Sequence, residues 1–220
     1  MWGLIYKDFY QQARNLGIMI LITLVLVVYA AATGGGAGVI AVVAIVVTLN
    51  FVLRNGYIED RNNALSFLST LPIGPRVIVA AKYASTALAA LGIAVFGVVA
   101  ARMVALWGLP VVAAWSDLLL MGLISAAMAL VLGGVYLLLF FRLGYAGAGT
   151  YTRIFIVVLA FAAVALVKAN GNQPLLPGML KAMAALQPLP PVALLALAAA
   201  VWYGCSFALA VRVFSRREPG

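Results

Sequence analysis

Any chemistry in this chain would have to be done with very few residues. Its 220 positions hold five acids (Asp8, Glu59, Asp60, Asp117 and Glu218), fourteen Lys and Arg, no histidine and one cysteine, Cys205. Without histidine the commonest general base and metal ligand is missing. Cys205 has no partner for an intrachain disulfide and lies in an apolar run, where a thiol packs as a small hydrophobe. The apolar runs contain no paired carboxylates, no metal-ligand spacing and no nucleophile–base constellation. No catalytic and no metal-binding residue is therefore assigned, and the chain is expected to bind no cofactor of its own.

The elements that carry these residues are built for lipid. Hydrophobic residues make up 66% of the chain and charged residues 9%, where a soluble domain is about half apolar and about a quarter charged. The length fits one domain, or about six spans of ~20 residues with short connections. It leaves no room for a separate catalytic domain. The net charge of +9 does not point to nucleic acid, because the basic residues sit at the ends of apolar runs rather than in a stripe with interleaved aromatics. Polar residues from Lys7 to Arg14 interrupt the N-terminus, which predicts no cleaved signal.

Along the chain the pattern predicts an all-α integral membrane protein with six transmembrane helices and a single domain over residues 1–220. Residues 1–16 read as an amphipathic helix in the headgroup layer. Trp2, Ile5, Tyr6, Phe9, Ala13 and Leu16 recur at helical spacing, with Lys7, Asp8, Gln11, Gln12 and Arg14 opposite them. Spans one and two occupy residues 17–53, separated by a glycine turn at 33–36. A polar segment covers 54–76, and spans three to six fall within 77–211. Within that stretch, residues 107–110 break the third helix, Ser116-Asp117 cap the fourth, 142–153 form a Gly-rich loop, and 168–191 form a proline-rich loop with a short helix at 180–185. A tail covers 212–220. Gly133-Gly134 and Gly92/Gly97 are expected to let helices approach closely.

Charge segregation gives an orientation. With the N-terminus in the cytoplasm, eleven of the fourteen Lys and Arg fall on that side, and only Arg102, Lys168 and Lys181 lie opposite. An odd number of spans would put the basic tail outside. The expectation is a multi-pass protein of the cell membrane with both termini cytoplasmic. Asp117 then lies at the outer interface, and the spans hold almost no ionisable group of the sort that marks an ion pathway.

Orientation places the most distinctive polar segment inside the cell. It runs Glu59-Asp60-Arg61-Asn62-Asn63-Ala64-Leu65-Ser66-Phe67-Leu68-Ser69-Thr70-Leu71-Pro72-Ile73-Gly74-Pro75-Arg76. A helix over 59–70 would carry Ala64, Leu65 and Leu68 on one face and its acids near the N-terminus, where they complement the dipole. Pro72 and Pro75 would break the chain and start the next helix.

This segment resembles the signature of ABC-2-type permease subunits, the membrane halves of one class of ATP-binding cassette exporters (type V exporter-like). The matching order is an acidic pair (Glu59-Asp60), a leucine-bearing helix (Leu65, Leu68), Leu71-Pro72-Ile73, a basic residue (Arg76) and Lys82-Tyr83. The opening Leu4-Ile5-Tyr6-Lys7-Asp8-Phe9 is similar to the elbow helix that precedes the first span in that family. The pattern looks closest to the small bacterial permeases of the phenol-soluble modulin (Pmt-like) exporter type. Pro75 departs from it, standing where a polar residue is more usual.

The resemblance implies a division of labour. The chain has no GxxxxGK[ST] loop to cradle phosphates, so ATP and magnesium would be bound by a separate ABC ATPase subunit. The full machine would pair two permeases, a second copy of this chain or a paralogue, with two ATPases. Residues Glu59, Asp60, Arg61, Asn62, Asn63, Leu65 and Leu68 would form the coupling helix seated on the ATPase. Leu71, Pro72, Ile73, Arg76, Lys82 and Tyr83 would form the turn and the start of the next helix, and Trp2, Ile5, Lys7, Asp8 and Phe9 the elbow. Apolar spans with few hydrogen-bonding groups suit an amphipathic or hydrophobic cargo such as a peptide. The competing class is a membrane protein outside the ABC group, a secondary carrier or an assembly or anchoring factor. It gives no reason for the acidic pair followed by Leu-Pro-Ile.

Overall fold

The computed structural model describes residues 1–32, 37–64, 67, 73–106, 115–169 and 191–216. Six helices occupy them: α1 (Trp2–Gln11), α2 (Ala13–Ala32), α3 (Ala37–Arg61), α4 (Pro75–Leu106), α5 (Trp115–Ala169) and α6 (Pro191–Arg216). The glycine turn at 33–36, Leu65, Leu68, Leu71, Pro72, the break at 107–110, the helix at 180–185 and the last four residues lie outside the described residues.

Among the described residues four helices are long and apolar enough to cross a membrane, with a shorter apolar helix at Gly17–Tyr29. Their surfaces are inverted relative to a soluble bundle. Leu21, Val25, Val95, Leu119, Val158, Leu197 and Val201 are all 57–62% exposed, and that apolar exterior suits lipid as solvent. α3 is the central element, 56% buried over its apolar window against 22% for α6. It packs on α5 and α4, and α5 packs on α6. Two buried hydroxyls on the apolar helices close back on their own backbone: Thr23 donates to Met19 O and Thr48 to Ala44 O, both at 2.8 Å.

Several boundaries differ from the sequence expectation. α3 does not stop near residue 53 but continues through the polar residues to Arg61. Its inward stripe, Thr48, Phe51, Val52, Asn55 and Glu59, keeps helical spacing throughout and is buried. The helix expected over 59–70 therefore does not begin at Glu59. Asn63 takes φ 47, the left-handed conformation Asn tolerates just past a helix end. Its N–H donates to Asp60 O at 3.2 Å, closing α3, and a new turn follows in which Phe67 N–H donates to Asn63 O at 3.1 Å. The acidic pair thus sits at the C-terminal end of a long helix, opposite to the dipole arrangement expected. Ser116 and Asp117 lie within the first turn of α5 rather than ahead of it. Lys168 extends α5, and residues 212–216 extend α6.

The Gly-rich stretch 142–153 is also helical, not a loop. One residue breaks it: Gly144, at φ 77 and ψ −177, a region essentially reserved for glycine. An unbroken α5 of 55 residues would measure ~80 Å at 1.5 Å per residue. The break divides it into arms, 115–143 and 145–169, each ~37–43 Å long. Gly133 and Gly134 do permit close packing, since a methyl on Gly134 would meet Ser206 Oγ at 2.9 Å and one on Gly133 would meet Thr86 Cγ2 at 3.0 Å. Gly92 does not have that role, because nothing lies within 4 Å of where its Cβ would be.

These conformations set opposite expectations for two neighbouring alanines. Gly144→Ala forces a side chain into a glycine-only region and should cost about 1–3 kcal/mol. Gly149→Ala, helical and with nothing within 4 Å, should be neutral or stabilising by up to about 1 kcal/mol. Thermal unfolding of the purified protein in detergent reads both, and a stable Gly144→Ala variant would contradict the break.

Candidate functional site

The residues of the polar segment and the N-terminal helix meet at one end of the bundle. α1 turns Ile5, Asp8 and Gln12 inward, three positions on one helical stripe. Trp2, Tyr6 and Tyr10 face out at 76%, 70% and 70% exposure, and the rings of Tyr6 and Tyr10 stack at 5.9 Å. The helix is amphipathic, but its polar stripe points into the protein. Phe9 leans on Phe51 of α3, ring centroids 5.2 Å apart. Gln12 Nε2 donates to Phe51 O at 2.7 Å and fixes the α1–α2 corner to α3.

That inward stripe meets two others. The C-terminal stripe of α3 brings Glu59, and α4 brings Lys82, Ser85 and Thr86, also at helical spacing. The Lys82 ammonium lies 2.6 Å from Asp8 Oδ1 and 2.6 Å from Glu59 Oε1. Lys7 reaches the same Glu59 oxygen at 2.6 Å and lies 3.6 Å from Asp8 Oδ1. Ser85 Oγ donates to Asp8 Oδ2 at 2.8 Å. Two ammoniums face two carboxylates, so the cluster is neutral. Lys82, Asp8 and Glu59 are nearly inaccessible, whereas the Lys7 side chain is 28% exposed.

The cluster rests on aromatic packing. Tyr136 from α5 places its hydroxyl over Gly56, where even a methyl group would collide with it, and its ring stacks on Phe140 at 5.9 Å. A cavity of about 10 Å³, on the scale of a single water, is lined by Asn55, Gly56, Glu59, Lys82, Ser85 and Tyr136 among others. Glu59 Oε2, Asn55 Oδ1 and the Tyr136 hydroxyl have no hydrogen-bond partner among the described residues. One position past Lys82, Tyr83 turns to the other side of α4. Its hydroxyl pairs with Ser206 Oγ at 2.9 Å, and Tyr203 OH donates to Tyr83 O at 2.7 Å. Adjacent residues of α4 thus tie it to α1 and α3 on one side and to α6 on the other.

The structure sorts the expected site residues into two groups. Lys7, Asp8, Glu59 and Lys82 come together; Ile5 is buried on the same face of α1 as Asp8, Phe9 packs on Phe51, and Tyr83 faces α6 instead. Asp60, Arg61, Asn62 and Asn63 form the exposed end of α3. Ile73 is half-buried and Arg76 is exposed at the start of α4, while Trp2 faces outward. Glu59 is the correction: expected on an outward surface, it is buried because α3 runs on in register with Phe51, Val52 and Asn55. Gln12, Asn55, Ser85 and Tyr136 were missed. The spacing 48/51/52/55/59 and 82/85/86 carried a signal for Asn55 and Ser85, because polar residues recur there on otherwise apolar stripes. Nothing local marked Tyr136.

Breaking the central pair should cost far more than breaking its partly wet edge. Lys82→Met leaves two buried carboxylates facing one ammonium, and about 3–5 kcal/mol of stability should be lost. Lys7→Met should cost clearly less, since water can reach its position. Adding Asp8→Asn to Lys82→Met should recover part of the loss. Thermal unfolding of the four proteins tests this, and equal losses for Lys7→Met and Lys82→Met would contradict the geometry.

Similarity to known proteins agrees with this architecture. No curated protein matches the chain. A family model described as an ABC-2 family transporter protein matches residues 3–215, from the first turn of α1 to the last turn of α6. A match over nearly the whole length, on a bundle with four long apolar helices, settles the family: the chain belongs to the ABC-2 family of transporter proteins.

Proposed function

We propose that this permease is the membrane half of an ATP-driven exporter whose ATPase is a separate subunit, and that the end of α3 is where the two meet. The observation that carries this is the exposed cap Asp60-Arg61-Asn62-Asn63 hung directly from the buried Lys7/Asp8/Glu59/Lys82 cluster. A push on that cap acts on α3 as a rigid rod, and the cluster passes it to α1 and α4 together. Phe67, 64% exposed, stands in the turn that follows and extends the same surface. The coupling surface is therefore assigned to Asp60, Arg61, Asn62 and Asn63, together with Leu65 and Leu68 that follow them in sequence, with Glu59 as its internal anchor. Binding of ATP and magnesium is assigned to the partner.

Six crossings follow if α2, α3, α4, the two arms of α5 and α6 each span once. Both termini and the cluster then lie on the cytoplasmic side of the cell membrane, with α1 as an elbow whose Trp2, Tyr6 and Tyr10 lie among headgroups, the depth aromatic rings favour. Among its described side chains α2 buries one stripe, Met19, Thr23 and Val27, which leaves exposed faces for lipid or for a second permease, identical or paralogous. The apolar walls of such a pair suit an amphipathic or hydrophobic cargo, with peptides as the first candidates. A secondary carrier would place its charged groups near the midplane. Here Glu59 is two residues from the end of α3 and Lys82 about two turns into α4, so the cluster lies near the helix ends.

The test separates anchor from surface. Asp60→Arg combined with Arg61→Glu should leave the amount of protein in the membrane unchanged. ATP-dependent uptake of an amphipathic peptide into inverted vesicles should fall at least tenfold. Normal ATPase association and normal uptake in that variant would remove the coupling assignment.

A further inference from the structure

Away from the charge cluster, α4 and α5 leave an open apolar groove of about 320 Å³. Its floor is made of small buried residues, Ala94 and Ala126, with Gly122 between the helices. Its walls are exposed: Leu91 at 50%, Val95 at 62%, Leu119 at 58% and Leu123 at 44%. Both walls follow single helical stripes. On α4 the stripe is 91, 95, 98 and 102, and on α5 it is 115, 119, 122 and 126.

The two stripes end together in a charged group. Arg102 is the next member of the α4 stripe, and its guanidinium sits 4.4 Å from the centre of the Trp115 ring, the first member of the α5 stripe. Arg102 stands twenty residues beyond Lys82, ~30 Å along the helix, which is the thickness of a hydrocarbon core. The pair therefore marks the opposite interface from the cluster, at the depth where Trp accumulates and from which a long Arg side chain reaches the headgroups. From Arg102 down to Leu91, and from Trp115 down to Ala126, the groove runs ~16 Å, the depth of one leaflet of a ~30 Å core. Asp117 lies some 200° around α5 from Trp115 and does not face the groove.

We propose that this groove is a binding site for a single phospholipid of the leaflet opposite the charge cluster, with one acyl chain between α4 and α5 and the phosphate on Arg102. The cation gives the site its preference for phosphate, and stacking on Trp115 holds the guanidinium at the mouth. The small floor residues set the room for a chain. The site is independent of ATPase coupling and stands whether or not the cap of α3 contacts an ATPase.

The test uses the intact chain in detergent with Trp2, Trp107 and Trp202 replaced by Phe, so that Trp115 is the only indole. Phospholipid with brominated acyl chains should quench Trp115 and saturate near one lipid per chain. Diacylglycerol with the same chains should need about fivefold or more higher concentration, and Arg102→Gln should weaken the phospholipid by a similar factor. Ala126→Leu should abolish saturable quenching. Unfolding temperature and elution volume check its fold, and the Arg102→Gln arm stands without it. Equal quenching by the two lipids, or quenching indifferent to both substitutions, would overturn the site. Resistance to quenching that disappears on dilution of the protein would assign the groove to a second copy and likewise overturn it.

Discussion

A Lys82 ammonium held 2.6 Å from two buried carboxylates is the constraint on which the rest of this permease depends. Charges in a low-dielectric interior survive only when paired and hydrogen-bonded, and each partner removed leaves the others expensive. Here the partners come from three helices: Asp8 from α1, Glu59 from α3, Lys82 from α4. None can leave without exposing the others. The polar stripe of α1 must point inward, α3 must continue helical to Glu59, and α4 must enter at the register that presents Lys82 and Ser85. The cluster thus fixes three helix ends as a consequence of charge neutralisation rather than of shape.

The same constraint explains why the polar end of α3 is divided. Glu59 faces inward and Asp60 outward, one residue apart on a helix. The inward acid joins the protein together, and the outward one stands exposed with Arg61 and the two asparagines. Acids in the last turn of a helix oppose its dipole. Glu59 is compensated by two ammoniums, and Asp60 is followed by Arg61 in the same turn. The apolar remainder of the bundle asks little of polar chemistry. Thr23 and Thr48 bond to their own helices, and Tyr83, Ser206 and Tyr203 join α4 to α6.

Much of this was legible in the residues. Composition alone requires lipid, and the sequence singles out the Lys7-Asp8, Glu59-Asp60 and Lys82-Tyr83 pairs. What sequence did not reveal was that these pairs are one object. Helical periodicity in 48–59 continues without interruption from an apolar to a polar stretch, so the change of composition near Arg54 does not mark the end of the helix. Gly144 was equally hidden. A Gly-rich run reads as a loop, but only one of its glycines adopts a conformation that other residues cannot. Tyr136 belongs to the site through tertiary packing against Gly56, for which no spacing rule exists.

If the cluster joins the three helix ends, they move as one block when the transporter works. The most direct measurement is the distance between spin labels at Tyr6 on α1 and Arg61 at the end of α3, both exposed, in the complex with its ATPase. The predicted result is one distance distribution, superimposable with and without trapped nucleotide, that broadens when Lys82 is replaced by Met. A shift of the distribution on nucleotide binding with the cluster intact would show that α1 and α3 move apart, and would contradict the block.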